Sequence, residues 1–280
     1  MKTLINIFLS FMLSLTLVGL SLIIVIGLSC FRITSIYDDL SASNYYENVQ
    51  AGIYDKAEAI TLPTGLALDV LKDTVALDAV ERDVKGYVRA SFQGKTYQAD
   101  TTGLRSKLEQ NVNGYLMSVG IQPDKDQKAN IVTYLQLVTD EYNNSIKIPL
   151  LDYLISARNV YQKILYVGIF ICSAVMGVIV FLMLSMNGWR QGTLEYLTYS
   201  TLATAMMLAA APAFVLLSGF YRRLRLSPEY FYQFTMTYIT RLFEVLLYTG
   251  LYFGVISIIL MLNVKSTKLK LSKKYEKVKG

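Results

Sequence analysis

The chain has 280 residues, of which 53% are hydrophobic and 17% charged, more apolar and less charged than soluble proteins average. It contains no histidine, which excludes Ser-His-Asp and Cys-His nucleophile sites, the HExxH zinc motif and imidazole pH switches. Its two cysteines, Cys30 and Cys172, fall in or at the edge of apolar runs, so small buried residues are expected there, with neither a disulfide framework nor a cysteine zinc site.

Four apolar runs explain the composition: residues 4–31, 164–186, 196–220 and 242–264. Each exceeds the roughly 20 residues that cross about 30 Å of hydrocarbon as a helix. The pattern predicts an all-α polytopic membrane protein with four transmembrane helices and a helical extracytoplasmic domain between spans 1 and 2. The first run begins just after Lys2, within a first segment of residues 1–31. It is about twice the length of a signal-peptide core and lacks an A-x-A site, so it reads as an uncleaved signal anchor. Gly27-Leu28-Ser29-Cys30 hints at a lipoprotein cleavage box.

Residues 32–160 form the expected extracytoplasmic domain and stalk. They hold thirteen Lys and Arg against seventeen Asp and Glu, a net of −4. Their periodicity is helical. Tyr46, Val49, Ile53, Ala57 and Ile60 recur at steps of three and four. So do Val80, Val84, Tyr87, Val88 and Phe92; Leu104, Leu108, Val112, Tyr115 and Val119; and Ile131, Leu135, Val138 and Tyr142. Asp78 and Glu81 fit a capping box, Gly94 and Gly120 sit where helix C-terminal glycines belong, and Leu62-Pro63-Thr64-Gly65 is a break. Asp124 and Asp126, like Asp38 and Asp39, are close pairs without calcium-loop spacing and read as solvated caps. Pro123 suits a first helical turn, and so does Pro149. From Pro149 one helix is expected to run through the stalk into the second span, ending before Gly188.

The remaining spans fill residues 161–264. Residues 187–192 make a short turn, so spans 2 and 3 are antiparallel neighbours. Trp189 and Arg190 read as interface anchors in that turn. Pro212, in a run of alanines, should kink span 3. The next connection carries Arg222, Arg223 and Arg225, which have two readings: docking of the acidic domain, or binding of lipid phosphates or anionic wall polymers. Ser227, Pro228 and Glu229 mark a helix start, and Tyr230, Phe231, Tyr232, Phe234 and Tyr238 resemble an aromatic belt. Arg241 and Glu244 are close enough on one helix to pair. Gly250 and Gly254 form a GxxxG spacing, read as packing inside the bundle rather than as a dimer contact. Residues 265–280 hold seven lysines and one glutamate. Such a tail marks the cytoplasmic side and anionic lipid, not nucleic acid, and places both termini in the cytoplasm.

This layout, with Tyr45-Tyr46-Glu47, Leu62-Pro63-Thr64-Gly65 and Ile148-Pro149-Leu150, resembles four-span membrane proteins of low-GC Gram-positive bacteria. The resemblance covers most of the chain. It implies a plasma-membrane location and supplies neither an activity nor functional residues. The order of one span, an outer domain and three spans is also similar to FtsX-type membrane subunits of ABC systems. No ionisable group lies at the centre of a span, which disfavours transport through this chain alone. The expected function is therefore a non-enzymatic envelope protein of the plasma membrane, without cofactor or metal, whose outer domain binds or senses a partner. The alternative is a permease-like or accessory subunit of an ABC-type transport complex.

Overall fold

A computed structural model describes residues 2–187 and 190–279, with side chains described as far as residue 268 apart from 190 and 191. Trp189 and Gly188 lie outside the described residues, as do the side chains of Arg190 and of the last five lysines. The chain is 86% helix, and no strand occurs among the described residues, which makes it all-α. The helices are α1 (Lys2–Cys30), α2 (Ile33–Ala42), α3 (Tyr45–Thr61), α4 (Leu77–Phe92), α5 (Thr102–Ser118), α6 (Lys125–Ser145), α7 (Leu151–Asn187), α8 (Arg190–Ser218) and α9 (Glu229–Lys279). Four segments are long and apolar enough to cross a membrane: Lys2–Cys30, Leu151–Asn187, Gly192–Arg223 and Glu229–Lys268. Each contains one of the apolar runs almost entirely, so a multi-pass membrane protein is the natural reading of the fold.

The chain divides into two compact units. The membrane unit comprises Met1–Arg32, Ala157–Arg223 and Tyr238–Gly280; the helical unit comprises Ile33–Ser156 and Leu224–Thr237.

In the membrane unit, α1 packs along α8. Their seam is polar. Asn6, Ser10 and Ser14 recur every four residues on α1 and are buried. The Ser10 and Ser200 hydroxyls meet across it at 2.8 Å, while Asn6 Nδ2 donates to Asn187 Oδ1, at the end of α7, at 2.7 Å. Thr204 donates to the Ser14 carbonyl at 3.4 Å. Small hydroxylated residues let two backbones approach in lipid, where apolar surface gives no preference for protein over solvent. Leu13 completes the seam against Ile179 and Met183 of α7. The C-terminal carbonyls of α1 are also satisfied: Tyr238 donates to Cys30 O at 2.9 Å and Arg241 to Ser29 O at 2.8 Å. A cation there also complements the helix dipole. Tyr161 of α7 donates to Ile23 O. A Cβ at Gly27 would come within 3.1 Å of the Tyr161 hydroxyl, so the glycine makes room for that ring.

The helical unit is built on α3, which packs against α2, α4 and α6. Its core joins Ala57 of α3, Leu108, Val112 and Leu116 of α5, and Tyr134, Leu135 and Val138 of α6. The expected stripes are therefore largely the buried faces, except that Val119, at the end of the α5 stripe, is exposed. Both glycine ends form as expected: Gly94 at φ 68° and Gly120 at φ 70° adopt the left-handed conformation. Lys95 N then donates to Ala90 O, and Ile121 N to Leu116 O, each at 2.9 Å, as in a Schellman turn.

Two starts differ from expectation. Asp78 and Glu81 form no capping box: α4 begins after Ala76 with no side-chain cap, and Glu81 pairs with Lys85 one turn on. The box belongs instead to α6, where the Asp124 side chain accepts from Gln127 N at 2.7 Å and Gln127 Oε1 accepts from Asp124 N at 3.0 Å. Pro123 therefore precedes the cap and is not in the first turn. Likewise α7 starts at Leu151, not Pro149, because Leu150 takes the left-handed conformation at φ 61° and its carbonyl accepts the first helical bonds.

Candidate functional site

The helical unit carries a cleft of about 510 Å3 where α3, α5 and α6 end or begin. Each wall follows from a chain break. The turn Leu62–Thr64 ends α3, and Gly65 at φ 75° redirects the chain to Leu66. The last turns of α5 bring Tyr115 and Leu116, and the Gly120 turn delivers Ile121 and Pro123. The capping box at Asp124 then sets the first turns of α6, which present Gln127, Asn130 and Ile131. Tyr134 forms part of the wall, and its hydroxyl meets that of Thr61 at 2.9 Å. No Asp, Glu, Lys or Arg lines the cleft. Apolar side chains nearby remain exposed: Leu62 at 60%, Met117 at 80%, Val119 and Ile121. Apolar exposure concentrated beside a formed cleft is the usual mark of a binding surface.

A second arrangement is a buried carboxylate. Asp83 of α4 is 1% exposed. Its Oδ2 accepts from Tyr142 at 2.7 Å, and its Oδ1 accepts from Tyr97 at 3.1 Å and from Arg82 Nε at 3.2 Å. Three donors offset the desolvation of a buried charge. Gly86 makes this possible, since a Cβ there would lie 2.6 Å from the Tyr97 ring. Burial first, then the bond to Asp83, pushes the Tyr142 phenol up. Tyr97 is raised by burial and then by the Asp83 charge. The cluster ties the segment after α4 to α6, as does Ala99 N donating to Asn143 Oδ1 at 3.3 Å. Two phenols held neutral on a bonded carboxylate form a structural tie.

The residues singled out in the sequence are dispersed. Arg222 and Arg223 close a short turn, Phe220–Arg223, of the membrane unit, whereas Arg225 belongs to the helical unit. All three are exposed, and the Arg222 guanidinium lies 5.8 Å from the centre of the Tyr221 ring. Residues 224–237 join the helical unit through aromatic rings instead. Tyr45 meets Tyr230 at 5.3 Å and Phe234 at 5.8 Å, both edge-on. Tyr230, Phe231 and Phe234 are buried, so that part of the expected aromatic belt is core. Gly250 lies against α8, where a Cβ would meet Ala209 N at 2.8 Å, and Gly254 faces Ala205. Pro212 is buried within α8, which continues to Ser218.

Among the described residues, no group of three or more Cys, Asp or Glu side chains is placed to hold a metal ion. In comparison with known proteins, no family model matches the chain, and no curated protein or solved structure matches it significantly.

Sequence reasoning missed the cleft and the carboxylate, and Asp39, read as a solvated cap, is buried in α2 at 2% exposure. Asp83 resembled the other surface acids. Its one signal was its place beside Val80 and Val84, on the apolar face of its helix. The cleft left a better trace, because Leu62-Pro63-Thr64-Gly65, Gly120 and Pro123 all mark breaks that the fold gathers at one end.

Proposed function

We propose that this is a non-enzymatic membrane protein of the cell envelope whose helical unit binds a partner protein, with the cleft between α3, α5 and α6 as the binding site. The observation that carries this reading is the uncharged lining of that cleft beside exposed Leu62, Met117, Val119 and Ile121. A charged ligand would find no counter-ion there. An extended peptide segment with apolar side chains fits the chemistry: Leu66, Tyr115 and Ile131 supply apolar walls, and Thr64, Gln127 and Asn130 supply polar partners for its backbone. In this reading the helical unit lies outside the plasma membrane, α1 is the signal anchor and both termini are cytoplasmic. The lysines of the tail contact anionic lipid. The alternative, an accessory subunit of a transport complex, has no separate observation in its favour: the buried polar side chains of α1 are bonded to α7 and α8 rather than left facing a polar path.

Site-specific photocrosslinking in intact cells tests the reading. A photoreactive residue at Met117 or Ile121 should give one discrete adduct, which Leu66→Arg abolishes. A probe at Leu137, exposed elsewhere on α6, should not give it. The same adducts from Leu137, or none from Met117, would reject the cleft as the binding site.

A further inference from the structure

The membrane unit has a groove of its own, of about 650 Å3, between α8 and α9. Tyr199 and Leu202 of α8 and Ile258 and Met261 of α9 form apolar walls. Its floor is held by Ser257, which donates to Thr198 O at 3.3 Å. One end is charged. Lys265 and Lys268 follow Ile258 and Met261 on one face of α9, and Glu195 of α8 pairs with Lys268. Lys265 is exposed at the same mouth. The apolar run stops at residue 264, so this mouth lies where hydrocarbon gives way to headgroups.

We propose that an anionic phospholipid of the bilayer occupies this groove, with one acyl chain between α8 and α9 and its phosphate on Lys265 and Lys268. The site deepens the reading of the tail as an anionic-lipid contact by assigning it one seat, and it is independent of the cleft in the helical unit. The occupant follows from the lining. A four-residue apolar wall takes a chain, and two ammonium groups against one carboxylate leave a net positive mouth that favours a headgroup of net negative charge over a zwitterionic one, whose phosphate is offset by its own cation. Glu195 competes for Lys268, so the lipid phosphate displaces that ion pair, and the carboxylate limits how tightly the lipid is held.

Native mass spectrometry of the full chain, with added phosphatidylglycerol or phosphatidylcholine, tests the assignment. The wild type should retain phosphatidylglycerol preferentially. Lys265→Gln with Lys268→Gln should lower that retention roughly thirtyfold, the scale of two lysines at a headgroup layer. Glu195→Gln should raise it, and Leu202→Trp should lower it with every charge intact. Lys273→Gln with Lys274→Gln, which removes the same charge further along the tail, should leave retention nearly unchanged. Equal retention of the two lipids would overturn the proposal. So would an equal or larger loss in the Lys273/Lys274 variant, which would mean diffuse attraction to the whole tail. A dimer that Leu202→Trp dissociates would assign the groove to a second copy of the chain instead.

Discussion

The two units are turned inside out relative to each other in chemistry. In the helical unit, Ile53, Val80, Val84 and Leu108 are fully buried. In the membrane unit the fully buried positions include Ser14, Ser200 and Thr204, while Phe170 is 75% and Leu217 88% exposed. Both units are helical, so secondary structure does not explain the inversion. The solvent does. Water drives apolar side chains together. Lipid gives them no reason to leave, and association there rests on close fit and on hydroxyls that need a partner. The same leucine therefore stabilises one unit by being inside and is neutral in the other by being outside.

That contrast fails if apolar truncations cost the same in both units. Leu108→Ala should destabilise the helical unit by about 2–5 kcal/mol, the range for a buried leucine that leaves a cavity. Phe170→Ala removes a larger side chain from α7, yet it should shift unfolding by less than about 0.5 kcal/mol, as at an open surface. Thermal unfolding of the full chain in lipid nanodiscs, followed by protection from protease, measures both. A Phe170→Ala loss matching that of Leu108→Ala would show that α7 is covered by protein on that face.

Polar burial sharpens the comparison. Tyr142→Phe leaves one oxygen of Asp83 without its 2.7 Å donor and should cost about 1–3 kcal/mol. It should also change the response to alkali. Tyr45, Tyr97, Tyr134 and Tyr142 all have phenols raised first by burial, and Tyr46 is pushed up to about 12. Above the unfolded phenol value near pH 10, the unfolded chain releases protons that the folded unit keeps. Stability is therefore complete below about pH 10 and declines above it. Tyr142→Phe should make that decline shallower by up to about 1.4 kcal/mol per pH unit, the effect of one proton. An unchanged slope would mean that Tyr142 ionises freely in the folded chain.

Much of this architecture was written plainly in the chain. Runs of apolar residues longer than 20 give spans whatever their neighbours do, and the stripes from Tyr46 to Tyr142, Val119 excepted, became buried faces because water enforces them. The misread points depend on distant partners. Asp78 and Glu81 had the spacing of a capping box, but Glu81 turned to Lys85. Asp124 had the same spacing to Gln127 and kept the box. Pro149 could have begun α7, and only the backbone at Leu150 moved the start. Tyr230 and Phe234 had the composition of a headgroup belt, and nothing local announced that Tyr45 was waiting for them. The α1 seam was legible in principle, since Asn6, Ser10 and Ser14 share one face at a spacing of four. It went unread because a search for ionisable groups within the spans passes over hydroxyls.

That seam gives the finest test of the inversion. Ser200 bonds both the hydroxyl of Ser10 at 2.8 Å and the carbonyl of Ser10 at 2.9 Å. In water-soluble cores an interior pair of this kind is worth about 1 kcal/mol. Hydrogen bonds between membrane helices average only about 0.6 kcal/mol, because the separated helices find other partners. Ser200→Ala should therefore cost about 0.6 kcal/mol, and Ser10→Ala the same. The double variant should cost less than the two together, because both remove one shared contact. Ser200→Leu should cost more than Ser200→Ala despite being more apolar, since the added side chain forces α8 away from α1. A stabilising Ser200→Leu would show that this seam obeys the rules of the helical unit after all.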